Sequence, residues 1–497
     1  MLKIIDDFLN GITMYRLVLY TLIFLLLFAA TLSFLGILSF NFISLLFSAA
    51  FLVAVCWVTN TVFAKVFKSQ TNLESVYISA LILALIITPA RNFEDALFLA
   101  GAAFLSQGSK YILTINKKHI FNPAAFAVFL TAITLNKSAS WWVGNPWMMP
   151  AVLIGGLLVV RKIRKFGMVL TFFAAALVFT VGFSLLKGGT PLPFIQEVVL
   201  NTPILFFSFI MLTEPQTTPP AKKFQIIYGG LVGTLYFLPL ETALLVGNIF
   251  SYIVSPKRKL LLKLKKKIQT SPDSYDFVFS LDKKIAFAPG QYLEWTLAHK
   301  DPDSRGSRRY FTIAASPTED ELRIGIKFYP NSSSFKKTLL SLRPGAEIIA
   351  SSLAGEFTLP KDPNRKLCFI AGGIGITPYR SMIKYLLDRK QKRDIVLLYS
   401  NKLAQDIVYK DIFDAASKKL GIKTVYALTD TASVPAKWKG RVGYLDANAI
   451  REEVPDWKDR IFYLSGPHSM VDAFVTTIKG MGLSDSQIKV DFFPGYA

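Results

Sequence analysis

Three short motifs in the last third of the chain contain residues that could do chemistry, and the middle one is rich in glycine. The sequence AGGIGITP contains Gly372, Gly373 and Gly375, followed by Thr377 and Pro378. Glycine has no side chain, so backbone N–H groups in this turn can approach a pyrophosphate at the start of a helix. Thr377 can donate a hydroxyl hydrogen bond, and Pro378 suits a first helical turn. Because such turns are also common as plain strand-to-helix connections, this motif alone leaves cofactor binding open.

The first motif, which lies upstream of the glycine turn, consists of Arg309, Tyr310, Phe311 and Thr312. The guanidinium of Arg309 presents a planar fork of donors that fits a flavin pyrophosphate. An aromatic ring, at Phe311 or at Tyr310 in a register shifted by one, can lie against the flavin ring. The hydroxyl of Thr312 can meet a polar atom of that ring. Taken alone, the motif is equally typical of an exposed strand.

The third motif, Ser465-Gly466-Pro467, follows the glycine turn along the chain. In this order, the three motifs indicate a chain that holds a flavin against one domain and a nicotinamide dinucleotide against the next. Hydride transfer between the two is the chemistry that this arrangement predicts. The motifs leave open where the electrons go afterwards.

The residues around these motifs change from a strand-like pattern to an alternation of strands and helices. Short runs of alternating polarity with turn signals extend from Lys263 to about Leu359 and predict a small antiparallel β-barrel. After Asp362 the pattern predicts strands at 366–371, 394–400, 423–428 and 460–465, and helices at 379–390, 406–419, 446–453 and 467–480. This alternation is typical of a doubly wound parallel sheet.

With these motifs, residues 260–497 resemble the ferredoxin–NADP reductase superfamily. The first motif matches the Arg-x-aromatic-Ser/Thr pattern of that family. The resemblance implies FAD on the barrel and NAD(P)H on the parallel sheet. It also implies a second flavin-phosphate contact at Ser333 and Ser334, and a turn at Gly355 before the domain junction.

The same resemblance implies two catalytic positions. Ser465 stands where the family usually has a cysteine beside the nicotinamide. A C-terminal aromatic residue in such enzymes covers the flavin until nicotinamide displaces it, and either Phe493 or Tyr496 could do so here. The choice between NADH and NADPH stays open, because Lys402 could hold a 2′-phosphate or be a solvated loop cation.

Composition divides the chain into two parts. Of its 497 residues 52% are hydrophobic and only 18% are charged, and the apolar excess lies before Ser255. Many of the basic residues behind the net charge of +22 sit in short loops between apolar runs, which argues against nucleic-acid binding. Two cysteines and three histidines exclude a disulfide framework, an iron–sulfur cluster and a bis-histidine haem built by this chain alone, and no metal site is predicted.

Apolar runs between Tyr15 and Val254 predict an α-helical membrane domain with about ten spans. The predicted spans lie near 15–37, 41–63, 75–90, 95–114, 120–136, 147–160, 167–186, 196–212, 225–239 and 241–254. Cations are concentrated in the loops after even-numbered spans, as in the RKIRK stretch at 161–165. By the positive-inside rule, both termini and the reductase part face the cytoplasm, which predicts a multi-pass protein of the inner membrane.

Three segments of the membrane part carry more information than their hydropathy. Asn122 and the proline after it stand at the entrance of a predicted span, Glu214 ends another span, and Thr190 lies in a predicted outward loop. On these segments, residues 1–255 resemble the membrane flavoprotein subunits shared by Rnf complexes and the sodium-translocating NADH:quinone reductase. The resemblance implies FMN attached to Thr190 through a phosphoester.

Together these features predict a membrane domain at 1–255, an FAD-binding barrel at 256–361 and an NAD(P)-binding α/β domain at 362–497. The expected function is hydride transfer from NAD(P)H to FAD at the cytoplasmic face of a lipid bilayer. Electrons would then pass to a membrane flavin, a quinone or a partner redox protein. Two alternatives stay open. The membrane part could only anchor a reductase that serves a soluble ferredoxin or flavodoxin, or the chain could be a redox-sensing transporter.

Overall fold

The computed structural model describes residues 5–6, 8–9, 11–67, 73–115, 118–255, 260–281, 284–300, 302–303 and 306–491. These residues belong to two compact units, a helical unit that extends to Ser255 and a unit rich in β-structure that begins at Leu260.

The helical unit consists of helices joined by short turns and one small hairpin. Its elements are α1 Met14–Phe34, α2 Phe42–Val66, α3 Leu73–Ile86, α4 Phe93–Ile112, the hairpin of β1 Thr114–Ile115 and β2 Lys118–His119, α5 Pro123–Leu135, α6 Met149–Ile163, α7 Phe166–Leu186, α8 Pro191–Leu200, α9 Ile204–Phe206 with a π-helical continuation at Phe207–Met211, α10 Lys222–Thr234 and α11 Leu240–Val254. Four of the helices begin at polar caps whose side chains accept a backbone N–H, namely Thr13, Asn41, Asn92 and Asn122.

Packing in the helical unit occurs twice in the same order. In the first half α2 packs on α3 and α4, α4 packs on α5, and α1 packs on α3. In the second half α7 packs on the π-helical turn and α10, α10 packs on α11, and α6 packs on α9. Contacts of α1 with α6 and of α5 with α11 join the halves. No sequence repeat of fixed period predicts this arrangement, because the corresponding helices differ in length.

The prediction of about ten membrane spans is wrong. By length and composition, three helices among the described residues can cross a membrane: Met14–Phe34, Phe42–Val66 and Phe166–Leu186. The pair Pro191–Leu200 and Ile204–Met211, bent by 65°, makes a fourth if it counts as one span.

The other apolar runs are interrupted. The apolar helices α3, α5 and α11 have only 14, 13 and 15 residues. At 1.5 Å per residue such helices reach about 20 Å, short of the hydrocarbon layer of about 30 Å. Helix α4 is longer but carries Glu94, Asp95 and Lys110. The assignment of the charged loops to the two sides of the membrane depends on a count of ten spans. The cytoplasmic placement of the termini therefore stays a prediction.

The second unit begins with a six-stranded antiparallel sheet. Its elements are β3 Leu260–Ser271, β4 Ser274–Leu281, β5 Tyr292–Thr296, β6 Arg308–Thr312, β7 Leu322–Lys327, α12 Ser334–Ser341 and β8 Glu347–Ala354. The strand order is β6-β5-β8-β3-β4-β7. The backbone N–H of Ala314, just after β6, donates to the carbonyl of Arg323 in β7 at 2.8 Å and so joins the two edge strands. The antiparallel sheet predicted for this part is confirmed.

A parallel sheet with helices forms the rest of this unit. Its elements are β9 Leu367–Gly372, α13 Thr377–Arg389, β10 Ile395–Asn401, α14 Lys410–Leu420, β11 Lys423–Leu428, β12 Arg441–Val442, α15 Ala447–Glu453, β13 Ile461–Ser465, α16 His468–Gly480 and β14 Ile488–Val490. The strand order is β12-β11-β10-β9-β13-β14, and apolar side chains form a core on each face of the sheet. The predicted doubly wound sheet is confirmed, with each predicted element displaced by a few residues at most.

Candidate functional site

The parallel sheet reverses its winding between β9 and β13. From β9 the chain continues through β10, β11 and β12 towards one edge, whereas β13 and β14 lie on the other side. Ligands of open parallel sheets bind at the carboxyl ends of the strands at such a switch point. These ends carry Gly372 on β9 and Ser465 on β13, and Ser465 pairs with Ala371. The fold therefore brings the glycine turn and the third motif together.

Close backbone contacts hold the glycine turn against the third motif. A Cβ added to Gly375 would lie 2.5 Å from Cα of Gly466, and one added to Gly372 would lie 2.2 Å from Sδ of Met470. Gly373 differs, because its φ is +52° and a Cβ there would meet no heavy atom of the described residues within 4 Å. The turn is therefore closely packed at Gly372 and Gly375 and open at Gly373. An open backbone at the start of a helix can accommodate an anionic group.

The remaining predicted residues of the coenzyme site border this turn. Thr377 begins α13 and is 7% exposed, and Pro378 lies in the first turn of that helix. Pro467 precedes α16, and its ring lies beside Gly372. Asn401 ends β10 at the same edge of the sheet, and Lys402 after it is exposed.

Arg309 lies in β6 with its side chain 2% exposed. Its Nη1 atom donates to the carbonyl oxygens of Gly306 at 3.1 Å and Arg308 at 2.6 Å. Its Nη2 atom lies 3.6 Å from Oδ1 of Asp303, and the guanidinium lies 5.2 Å from the ring centre of Phe335. The guanidinium is thus fixed at the start of α12 rather than extended into solvent.

The N-terminus of α12 lies beside the guanidinium of Arg309. Ser333 caps the helix by accepting the N–H of Lys336 at 3.3 Å. The N–H of Ser334 donates to Oδ2 of Asp303 at 2.9 Å, and the N–H of Asp303 donates to Oγ of Ser334 at 2.9 Å. Nε2 of His299 lies 2.9 Å from the same hydroxyl. The two predicted serines are therefore at the helix start, with their hydroxyl groups engaged in local contacts.

The carboxylate of Asp303 shows what this place can bind. It lies between the guanidinium of Arg309 and the backbone N–H of Ser334. A guanidinium and a helix N-terminus are the two kinds of donor that hold phosphate oxygens. These donors hold an anionic group of the chain itself, and a donor set of this kind fits a pyrophosphate such as that of FAD.

Side chains of β6 alternate between the two faces of the sheet. Phe311 packs against the core of the barrel. On the other face, the ring of Tyr310 lies 5.5 Å from that of Tyr292, and its hydroxyl donates to Oε2 of Glu294 at 2.7 Å. Thr312 shares this second face. The sequence left Tyr310 and Phe311 open as the ring beside the flavin, and the structure places only Tyr310 on the face of Thr312.

A carboxylate joins that face to the switch point of the parallel sheet. The hydroxyl of Ser465 donates to Oδ2 of Asp491 at 3.0 Å, and the hydroxyl of Thr312 is close enough to the same carboxyl group to lower its pKa. Burial raises the pKa of Asp491 to about 7, against the opposing effect of these two hydroxyl groups. A carboxyl group with such a pKa can hold or release a proton near neutral pH.

Sequence reasoning missed Asp491 and Tyr292 as site residues. Asp491 reads as the first residue of the aromatic tail, and its only sequence signal is a lone carboxylate after the short strand β14. Tyr292 reads as an ordinary first residue of β5. Gly355, with a φ of +116°, lies against the ring of Tyr292, since a Cβ there would be 3.1 Å from Cδ1 of the tyrosine. Gly355 and Tyr292 thus belong to one cluster.

The remaining predicted site residues are the C-terminal ring and Thr190. Tyr496 and the aromatic residue at 493 lie outside the described residues, so the role of a C-terminal ring stays a prediction. Thr190 belongs to the helical unit, where it is exposed at the start of α8 and makes no side-chain capping hydrogen bond.

Comparison with known proteins agrees with this geometry. Residues 369–476 match the family described as oxidoreductase NAD-binding domain. The glycine betaine monooxygenase reductase subunit of Pseudomonas aeruginosa is 26% identical over 236 residues, which cover 47% of this chain and 64% of that protein. NADH-cytochrome b5 reductase 1 of Mortierella alpina is 28% identical over 234 residues, which cover 46% of this chain and 77% of that protein.

Among solved structures, the Amycolatopsis cytochrome P450 reductase GcoB is 25% identical, covering 48% of this chain and 70% of that chain. The TM-score of this overlap is 0.43. The chain spans less than two thirds of the length of the P. aeruginosa relative. With its two sheets and its glycine turn, the C-terminal unit is similar to these flavin- and NAD(P)H-dependent reductases, and residues 369–476 form an oxidoreductase NAD-binding domain.

Proposed function

We propose that this protein is a membrane-bound oxidoreductase that moves a hydride from NAD(P)H to FAD and passes the electrons on. The observation that carries the proposal is the cluster of Thr312, Ser465 and Asp491, which joins the predicted flavin face of β6 to the switch point of the parallel sheet. A flavin ring on Thr312 and a nicotinamide at Ser465 would meet at this cluster. We assign 256–361 to flavin binding and 362–497 to coenzyme binding.

In this mechanism the chain supplies position and protons. Arg309 and the N-terminus of α12 hold the flavin pyrophosphate, and the turn at Gly372–Gly375 holds that of the coenzyme. When bound, the flavin would supply the capacity to accept a hydride and to release single electrons. Ser465 would orient the nicotinamide ring of the coenzyme. The carboxyl group of Asp491 holds a proton beside the Ser465 hydroxyl.

A partner protein is the acceptor that the relatives favour. The relatives include a monooxygenase reductase subunit and a reductase component of terephthalate 1,2-dioxygenase from Comamonas. We propose that this module likewise delivers electrons to a separate redox protein, such as a ferredoxin or flavodoxin. The three apolar helices support attachment to a membrane, and we propose that this is the cell inner membrane with the reductase module on its cytoplasmic side.

A membrane acceptor is the second candidate, and a cavity in the helical unit favours it. Its wall is largely apolar, and its lining includes Asn122 and Glu214. Nδ2 of Asn122 donates to Oε2 of Glu214 at 2.9 Å, as does Oγ1 of Thr217. Ligand sites commonly combine such an apolar lining with a few polar groups. This reading keeps the resemblance to Rnf and sodium-translocating reductase subunits, with a quinone or a flavin in the membrane and FMN on Thr190.

Two measurements on the full chain in detergent test the proposal. The first compares NADH and NADPH oxidation with ferricyanide as a one-electron acceptor, in wild type and Arg309→Ala. We expect turnover that needs bound FAD and that the variant loses in proportion to its flavin content. Wild type that retains FAD but oxidises neither coenzyme would contradict the proposal.

The second measurement concerns Thr190 alone. A denaturing gel is scanned for flavin fluorescence in wild type and Thr190→Ala, both produced in a host that contains a flavin transferase. Covalent FMN predicts a fluorescent band in wild type only. A dark wild-type band would remove covalent FMN from the electron path and leave a quinone, a non-covalent flavin or a partner protein as the acceptor.

A further inference from the structure

The helix that follows the glycine turn is clamped to the chain that follows the flavin strand. Arg380 in α13 is 3% exposed. It forms a two-pronged ion pair with Glu319, with Nη1–Oε2 at 2.9 Å and Nη2–Oε1 at 3.0 Å. Nη1 also donates to the carbonyl of Ala314 at 2.6 Å. Beside it, the hydroxyl of Ser381 donates to the carbonyl of Ala315 at 2.6 Å.

These contacts lie very close to the chemistry along the chain. Arg380 is three residues after Thr377, at which α13 begins, and Ala314 is two residues after Thr312. A shift of Arg380 relative to Ala314 therefore moves the coenzyme turn relative to the flavin face. No other element intervenes along the chain on either side.

Further contacts connect the residue that precedes α14 to the antiparallel sheet. The guanidinium of Arg380 lies 5.3 Å from the ring centre of Tyr409. The hydroxyl of Tyr409 donates to Asp276, which is fully buried in β4. Nη1 of Arg323 donates to the other oxygen of Asp276 at 2.7 Å. We call the five residues Asp276, Glu319, Arg323, Arg380 and Tyr409 the clamp.

Charged groups are a costly way to join two sheets. A buried ion pair is often no more stabilising than well-packed apolar residues, because both charges lose their hydration. Its distinctive property is geometric, since a guanidinium and a carboxylate that share two hydrogen bonds have one fixed relative orientation. Hydride transfer needs such a fixed distance, because a misplacement of about 1 Å can cost roughly a hundredfold in rate.

We infer that Arg380 and Glu319 are positioning residues, which set the distance between the nicotinamide turn and the flavin face and thereby the rate of hydride transfer. This inference rests on the proposed function. It predicts a loss in the rate of the transfer step with little loss in the affinity for either cofactor. A purely structural pair would lower stability and leave that rate unchanged.

The test compares two ion pairs, each formed by a buried arginine and a partly exposed carboxylate, in the full-length protein loaded with FAD. Glu319→Gln weakens the clamp, and Asp456→Asn weakens the similar two-pronged pair of Asp456 with Arg460, which lies wholly within the parallel sheet and its helices. Stopped-flow reduction of the flavin at increasing NADH or NADPH separates the limiting rate from the dissociation constant. Thermal unfolding of each variant is measured alongside.

For Glu319→Gln we expect a limiting rate about 10 to 100 times lower than wild type, with the dissociation constant changed less than threefold. Asp456→Asn should keep the wild-type rate even if its unfolding temperature falls as far. Arg380→Lys should recover part of the rate lost in Arg380→Met. Coenzyme deuterated at the transferred position should show a larger isotope effect in Glu319→Gln, because transfer becomes more fully rate-limiting.

A wild-type limiting rate in Glu319→Gln, or an equal loss of rate in both variants, would overturn the inference. If Arg380→Met does not fold, Tyr409→Phe tests the same clamp, because it removes only the hydroxyl that reaches Asp276, and a wild-type rate there counts against the inference in the same way. Failure of wild type to reduce its flavin would instead contradict the proposed function. The two failures are therefore distinguishable.

Discussion

The hydroxyl of Ser465 donates a hydrogen bond of 3.0 Å to the carboxylate of Asp491. Ser465 ends β13 at the switch point of the parallel sheet, and Asp491 follows β14, the neighbouring strand. The hydroxyl of Thr312 reaches the same carboxyl group from the antiparallel sheet. One ionisable group thus lies where both cofactors would meet.

The titration of Asp491 should be visible in the rate of flavin reduction. Burial raises the pKa of this carboxyl group to about 7. We expect the limiting rate of wild type to change with pH around that value, and the inflection to vanish in Asp491→Asn. Stopped-flow measurements between pH 5.5 and about 8.5 check this. An inflection that persists in the variant would assign the titration to another group.

The same group should make stability depend on pH. Its folded pKa of about 7 lies above the unfolded value of about 3.9, so the folded state binds more protons between these two values. Stability should therefore fall as pH rises through this window. We expect Asp491→Asn to be more stable than wild type at pH 8 by on the order of 2 kcal/mol, and about equal to it near pH 4. Denaturant unfolding at both pH values checks the sign, and a larger gain at pH 4 would contradict it.

Removal of the Ser465 hydroxyl should move the titration. This hydroxyl lowers the pKa of Asp491, so Ser465→Ala should raise that pKa by about one unit. The inflection of the rate profile then shifts to higher pH by the same amount. Ser469→Ala, on the exposed side of α16, is the control. A profile that does not shift in Ser465→Ala would show that the hydrogen bond does not act on the titrating group.

The sequence predicts the sheets well because their signals are local. The buried strand that ends at Gly372, the glycine turn and Pro378 at a helix start are contiguous in the chain, and each element constrains the next. Asp491 could not be found in this way, since its two partners come from Thr312 and Ser465, which are distant in sequence. Local composition does not show which carboxylate will lie between two sheets.

In the membrane part, the local sequence signals overestimate the lengths of the helices. A hydropathy window averages over prolines such as Pro123, at which α5 begins, and Pro203, which precedes α9, so short helices read as full spans. The position of a helix break decides the span length, and that position depends on packing against other helices. Thr190 illustrates the limit, because its exposed place at the start of α8 is visible only in the structure.

The contact between Gly375 and Gly466 should make the coenzyme site sensitive to a single methyl group. A Cβ on Gly375 would lie 2.5 Å from Cα of Gly466, and backbone cannot give way as a flexible side chain can. We expect Gly375→Ala to lower kcat/KM for the coenzyme by about tenfold or more, with the FAD content unchanged. Gly480→Ala, where a Cβ meets no described atom within 4 Å, should behave as wild type. Equal kinetics of the two variants would contradict the assigned turn.

Arg309 should determine whether the protein retains FAD. Its side chain is almost fully buried at the start of α12, next to Asp303. We expect Arg309→Ala to weaken FAD binding by about 10 to 100 times, because a charged hydrogen-bond donor to the pyrophosphate is lost. Arg308→Ala is the matched control, since Arg308 pairs with Glu294 instead. Flavin content after gel filtration and fluorescence titration with FAD provide the measurement. Loss of FAD in the Arg308 variant alone would contradict the assignment of the phosphate site to Arg309 and indicate Arg308 instead.

The central claim is that FAD on the face of Thr312 receives a hydride from a coenzyme seated on the turn at Gly372–Gly375. The most direct test is anaerobic titration of the purified full-length protein, loaded with FAD, with NADH and separately with NADPH. The account predicts that one equivalent of at least one coenzyme bleaches the visible absorbance of the bound flavin. A protein that binds FAD and keeps its colour in excess of both coenzymes would contradict the account.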